Sequence, residues 1–207
     1  MVVITRKNYI KAILGGAIVL TSSFSIPKHL LAQSPSKPSQ SQAKIKQLPQ
    51  KAQLTSPQKQ LLKSLKIKVA VPSYIPVGFE LEKVFVEMSR DSGVGGTGYT
   101  IFYRRYDNKS NKDFCFAIES TNGGIGDLPD GIRSFPINSP VFGKTTLEYG
   151  QYGDAKKPTF LSSWLGEEKG PFYRFVGVGL VPGTSNCNNI SSQEAIRVTE
   201  SLRYQGL

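Results

Sequence analysis

The dominant pattern is an alternation of apolar and polar positions that starts at Val69 and runs, punctuated by glycine and proline, almost to the C-terminus. In residues 69–87, Pro72 and Pro76 stiffen the approach and Gly78 supplies a turn. Phe79, Leu81, Lys83 and Phe85 then fall on one side of a predicted strand, and Glu80, Glu82, Val84 and Val86 on the other. Residues 99–106 are a β-branched and aromatic run of strand character. Residues 113–119 alternate cleanly, with Phe114, Phe116 and Ile118 on one face and Cys115 and Ala117 on the other. Residues 132–141 are broken by Pro136 and Pro140, which predicts an edge strand or an irregular crossing. A further strand follows at 143–149. The runs 160–165 and 172–178 flank a glycine-bounded loop, Gly166-Glu167-Glu168-Lys169-Gly170, and predict a hairpin.

Helical signals stand at the two ends of this region. Ser56-Pro57 reads as an N-cap followed by proline at the first helical position, opening a short helix over 57–66 that buries Leu61, Leu62 and Leu65. Ser191-Ser192-Gln193-Glu194 reads as a capping box for a helix over 192–203, with Ala195, Ile196, Thr199 and Leu202 on its packing stripe. The expected fold is α+β. It has a curved, mostly antiparallel sheet over 67–181 with the C-terminal helix packed on it, in a single domain spanning 56–207.

The charge pattern separates this body from what precedes it. Of the 26 basic residues, 12 lie before Val69, where there is no acid at all, which leaves 14 against all 15 acidic residues in 69–207. A nucleic-acid-binding domain concentrates lysine and arginine on its folded reading surface; here the basicity belongs to the tails, so no nucleic acid is expected as a partner. Residues 34–55 are rich in Gln, Ser, Lys and Pro and cannot bury enough apolar surface to offset chain entropy, which predicts a disordered linker. Its acid-free lysines, continuing to Lys68, suit either a solvated spacer or a weak contact with an anionic membrane surface.

Residues 1–33 have the three-part layout of a secretory signal peptide. Arg6, Lys7 and Lys11 form a basic start, residues 12–26 are uncharged, and Pro27 breaks the helix ahead of Leu30-Leu31-Ala32-Gln33. Cleavage is expected after Ala32 or Gln33, and the protein is expected to be exported to a periplasm, a thylakoid lumen or the cell exterior. The competing reading is an uncleaved N-terminal membrane anchor. The uncharged run of 15 residues is shorter than the roughly 20 that a spanning helix needs.

Cys115 and Cys187 are the only cysteines. An even pair in an exported chain favours a disulfide, with two buried free thiols as the alternative. The single histidine, His29, lies in the signal segment, which removes Ser-His-Asp and Cys-His nucleophile pairs and histidine-bearing zinc sites from the expected mature chain. Gly93-Val94-Gly95-Gly96-Thr97-Gly98 matches a dinucleotide fingerprint formally, but a strand rather than a helix follows it, so it reads as a hairpin loop. Asp107, Asn111 and Asp113 echo a calcium loop faintly, with Lys109 in an early ligand position and Ile118 where the closing carboxylate belongs; a plain turn is the expectation. Asn108-Lys109-Ser110 and Asn189-Ile190-Ser191 are formal glycosylation sequons. Carboxylate chemistry would have to use groups such as Asp127 with Asp130 or Glu148. No catalytic, cofactor-binding or metal-binding residue is assigned.

The segment Pro72-Ser73-Tyr74-Ile75-Pro76-Val77-Gly78-Phe79, the strand at 100–106, the hairpin around Trp164 and Tyr173, and the final helix with Glu200-Ser201-Leu202 occur together. In this combination, over roughly 69–204, the chain resembles an uncharacterised exported domain of bacterial envelope proteins, found also in the extracellular parts of anti-sigma-type and sporulation proteins. It is similar as well to hypothetical exported proteins of cyanobacteria. The resemblance implies a sheet like the half-barrel of lipoprotein carriers and brings no catalytic residues with it. The leading expectation is a non-enzymatic module that binds an envelope protein or wall component. The alternatives are a carrier of an apolar, lipid-type ligand, using Tyr99, Phe102, Tyr103, Tyr106, Phe114, Phe116, Trp164, Phe172, Tyr173 and Phe175, or a weak carboxylate-based hydrolase.

Overall fold

A computed structural model describes residues 49–88, 96–123, 125–126, 131–153 and 155–207. The predicted signal segment with the expected cleavage positions Ala32 and Gln33, most of the predicted linker, the centre of the glycine loop, Asp127 and Asp130 lie outside the described residues. Among the described residues, no helix is long and apolar enough to cross a membrane.

The fold is α+β. Strands β1 (Ala70–Pro72) and β10 (Leu202–Tyr204) form a two-stranded ribbon. The main sheet holds β2 (Glu80–Glu87), β3 (Gly98–Asp107), β4 (Lys112–Thr121), β5 (Arg133–Ser139), β6 (Gly143–Gly150), β7 (Thr159–Ser162), β8 (Leu165–Gly166) and β9 (Phe172–Val176). Its order is β2-β3-β4-β9-β7-β6-β5, with β8 paired to β9, and every ladder is antiparallel. The proline-broken segment is an edge, as its composition requires. Pro136 has no N–H to offer a neighbour, and the Asn138 N–H is taken by a Glu200 carboxylate oxygen at 2.9 Å.

Strand β4 shows how the sheet is shared between two cores. Phe116 and Ile118 are fully buried on one face, with Phe114 packed beside them, while Cys115 and Ala117 are buried on the other. Phe116 lies between Tyr103 and Phe175, with ring centroids at 5.0 and 5.5 Å, and meets Phe79 at 5.2 Å. Burying an aromatic side chain of this size contributes about 2–3 kcal/mol. Helices α1 (Ser56–Ser64) and α2 (Ser192–Glu200) belong to this first core through Leu62, Ala195 and Val198, all fully buried.

Four local expectations need correction. Residues 49–55, assigned by composition to the linker, contain a 3-10 turn at Gln50–Ala52, with Ala52 buried in the first core. The N-cap of α1 is Thr55 rather than Ser56, because Gln58 at the third position completes a reciprocal box, donating its N–H to Thr55 Oγ1 and accepting from the Thr55 N–H. Leu61 remains 40% exposed on the outer side of that helix. Helix α2 stops at Glu200 rather than 203: the Ser201 carbonyl accepts the Ser73 N–H at 2.9 Å, and the next three residues pair with β1. Leu202 is fully buried, as its place on the stripe implied, but from a strand.

The predicted faces of β2 are also revised. Leu81 pairs with Tyr103 and Lys83 with Phe102, so Glu82 is the extra residue of a β-bulge. The bulge reverses the alternation downstream. Leu81, Val84 and Val86 therefore share the core side, and Phe85 is 39% exposed on the other.

Candidate functional site

The second face of the sheet carries a row of side chains set by strand register. Phe85 pairs with Thr100, Thr100 with Glu119, and Glu119 with Arg174. Arg174 donates Nε–H to Glu119 Oε2 at 2.6 Å, with Nη2 equally close to the same oxygen, and Trp164 lies with its ring centroid 4.1 Å from the guanidinium carbon. A charge-assisted hydrogen bond, a second guanidinium nitrogen close to the same oxygen and an aromatic ring against the cation hold this pair across β4 and β9. The adjoining row is apolar: Phe102, Ala117, Val176 and Leu161 are register partners in turn and are buried.

An open cleft of about 450 Å³ stands over the junction of these rows. Thr100, Glu119, Arg174, Val176 and Leu161 form its floor, Gln151 and Tyr152 one wall, and Leu180, Val181 and Pro182 the other, with Glu87 at its border. Two carboxylates against one guanidinium disfavour a phosphate or polyanion. A polar row beside an apolar strip suits an uncharged ligand with one polar and one apolar face.

The far wall is fixed by the chemistry of residues 177–190. Thr184 Oγ1 accepts the Gly179 N–H at 2.8 Å and donates to the Val181 carbonyl at 2.6 Å, closing a tight loop. Cys115 and Cys187 pair as a disulfide, with Cα atoms 5.6 Å apart, and join this loop to β4. Asn188 reinforces the junction, its N–H donating to the Asp113 carbonyl and its own carbonyl accepting the Cys115 N–H. Asn189, the acceptor of one formal sequon, spends its amide internally: Nδ2 donates to the Pro158 carbonyl at 3.0 Å and Oδ1 accepts from Thr159 Oγ1 at 2.9 Å.

The remaining candidates occupy ordinary structural roles. Asp107 accepts from the Lys109 N–H and Ser110 Oγ within its turn, while Asp113 pairs with Arg104. These partners lower both carboxyl pKa values, through Ser110 first in one case and Arg104 in the other. Glu148 accepts a hydrogen bond from Ser134 Oγ at 2.7 Å. Tyr99, Tyr103, Phe116, Tyr173 and Phe175, named for an apolar ligand, are buried in the first core and fill the helix-facing side of the sheet. Lys51 binds Glu80 at 2.8 Å and Lys68 lies near Glu167 and over the Tyr204 ring, so these two lysines of the basic segment are engaged by the body. No family model, curated protein or solved structure matches the chain.

The residues that make the cleft, Thr100, Glu119 and Arg174, were not singled out by the sequence. Glu119 and Arg174 lie 55 positions apart and meet only through the β4–β9 register. The one local signal was the period-2 spacing that places Cys115, Ala117 and Glu119 on a common face.

Proposed function

We propose that this protein is an exported, disulfide-closed binding module that holds an envelope protein or wall component in the cleft over Glu119 and Arg174. The observation that carries this reading is the cleft itself: rigid polar groups beside an apolar strip, on a sheet face whose opposite side is already filled by the core. The disulfide supports an oxidising compartment, in line with the signal-like N-terminus. Glu119 Oε2 accepts the Arg174 Nε–H and is ion-paired with the same guanidinium, an arrangement suited to recognition rather than to proton transfer. The family resemblance to exported envelope domains points the same way.

A carrier role is the second reading, favoured by one observation, the strip formed by Leu161, Val176, Leu180 and Val181. Native and denaturing mass measurements on protein from its own source separate the two. The module reading expects a chain starting near Gln33 or Ser34, two hydrogens lighter than its reduced form, with no small hydrophobic adduct. An adduct retained in native conditions and lost on denaturation would transfer the assignment to the carrier.

A further inference from the structure

The wall of the cleft and the disulfide belong to one loop, and both cysteines are buried, Cys115 at 0% and Cys187 at 5% exposure. Cys115 is fully enclosed in β4, whereas Cys187 borders a surface pocket of about 60 Å³ whose other lining residues include Lys156, Lys157, Gly179 and Ser185. Both lysines are exposed, and among the described residues no acidic side chain lines the pocket. Two cations beside a small opening attract an anionic thiolate and stabilise it at the point of attack. The core beneath this loop is the smaller one, built from Phe102, Cys115, Ala117, Tyr152, Leu161, Val176, Val178 and Cys187. The first core, with both helices and most of the aromatics, contains neither cysteine.

We infer that the Cys115–Cys187 disulfide is a thiol-addressable latch on the cleft, entered at Cys187. A thiolate of glutathione type attacks the Cys187 sulfur, forming a mixed disulfide there, while the S–S bond breaks and Cys115 leaves as a thiolate that takes up a proton. A second thiolate then attacks the glutathione sulfur of that mixed disulfide, releasing Cys187 as a thiolate and forming the oxidised glutathione dimer. Two electrons pass from the two added thiols to the protein. Residues 178–187 lose their covalent tie to β4, and Leu180, Val181 and Pro182 cease to be a fixed wall, while the first core stays intact. This inference holds whatever ligand occupies the cleft.

The test uses the full chain with glutathione, under native conditions, quenched with acid and mapped by mass spectrometry. The expected adduct is on Cys187, and the K156E/K157E variant should react about three- to tenfold more slowly. Hydrogen exchange of the reduced protein should be about tenfold faster or more across 178–187, with β3, β4 and β9 still protected. The Cys115→Ala/Cys187→Ala variant should show the same local change without reagent. An adduct on Cys115, a disulfide inert until the chain unfolds, unchanged exchange in 178–187, or loss of protection across the whole sheet would each overturn the inference.

Discussion

Tyr99 and Ala70 are bound to each other twice: the Tyr99 hydroxyl accepts the Ala70 N–H at 2.7 Å and donates to the Ala70 carbonyl at 2.8 Å. Both residues are buried, so one phenol satisfies the donor and the acceptor of a backbone unit sealed from water. Through this pair the β1–β10 ribbon is fastened to the main sheet. Tyr173 adds a second clasp, donating its hydroxyl to the Lys68 carbonyl at 2.7 Å.

Replacing Tyr99 by Phe removes both bonds and strands the N–H and C=O of Ala70. The expected loss is about 1–3 kcal/mol in chemical denaturation. Tyr106→Phe, at a 54% exposed position, serves as the control and should lie much closer to the parent. Equal stability of Tyr99→Phe and the parent would show that the clasp contributes nothing.

Burial raises the phenol pKa of Tyr99, Tyr103 and Tyr173 above the ordinary value near 10. A raised folded-state pKa means the native protein keeps its protons where the unfolded chain has lost them. The stabilisation is therefore complete below about pH 10 and declines as pH rises beyond it. Absorbance at 295 nm should show these three ionising only together with alkaline unfolding. Titration of all tyrosines near pH 10 in a folded chain would contradict the packing.

The bulge in β2 yields a prediction opposite to that of a simple alternating strand. Deleting Glu82 should leave Leu81, Val84 and Val86 on the core side and restore regular pairing with β3, at a cost of about 1 kcal/mol or less. A deletion that destroyed cooperative unfolding would mean that the bulge is required for folding.

Strand β5 is guarded by Pro136 and by the Glu200 carboxylate on the Asn138 N–H. Removing both guards, in a Pro136→Thr/Glu200→Ala variant, should open the edge to pairing between chains. Light scattering should then show self-association that grows with concentration. A variant that remained monodisperse would show that the edge is protected by other means.

The limits of what could be read from the chain follow from the same details. Strand β4 was legible because its alternation is unbroken, and the disulfide because two cysteines behind a signal-like N-terminus leave few choices. Strand β2 misled because one extra residue, Glu82, looks like any other glutamate until the partner strand is known. The end of α2 was misplaced because Leu202 fits a helical stripe and a buried strand equally well; the pairing of Arg203 with Val71 decides between them. The cleft was hidden for a stronger reason: Thr100, Glu119 and Arg174 come from three strands and have no shared spacing.

The most direct test of a binding role is site-specific photo-crosslinking in cells of the source organism. A benzophenone amino acid at Pro182, exposed at the border of the cleft, is compared with one at Lys109 in the β3–β4 turn. The account predicts a discrete covalent conjugate from position 182, absent at 109 and diminished when Glu119→Gln and Arg174→Gln are introduced together. No conjugate from 182, or the same conjugate from both positions, would contradict it.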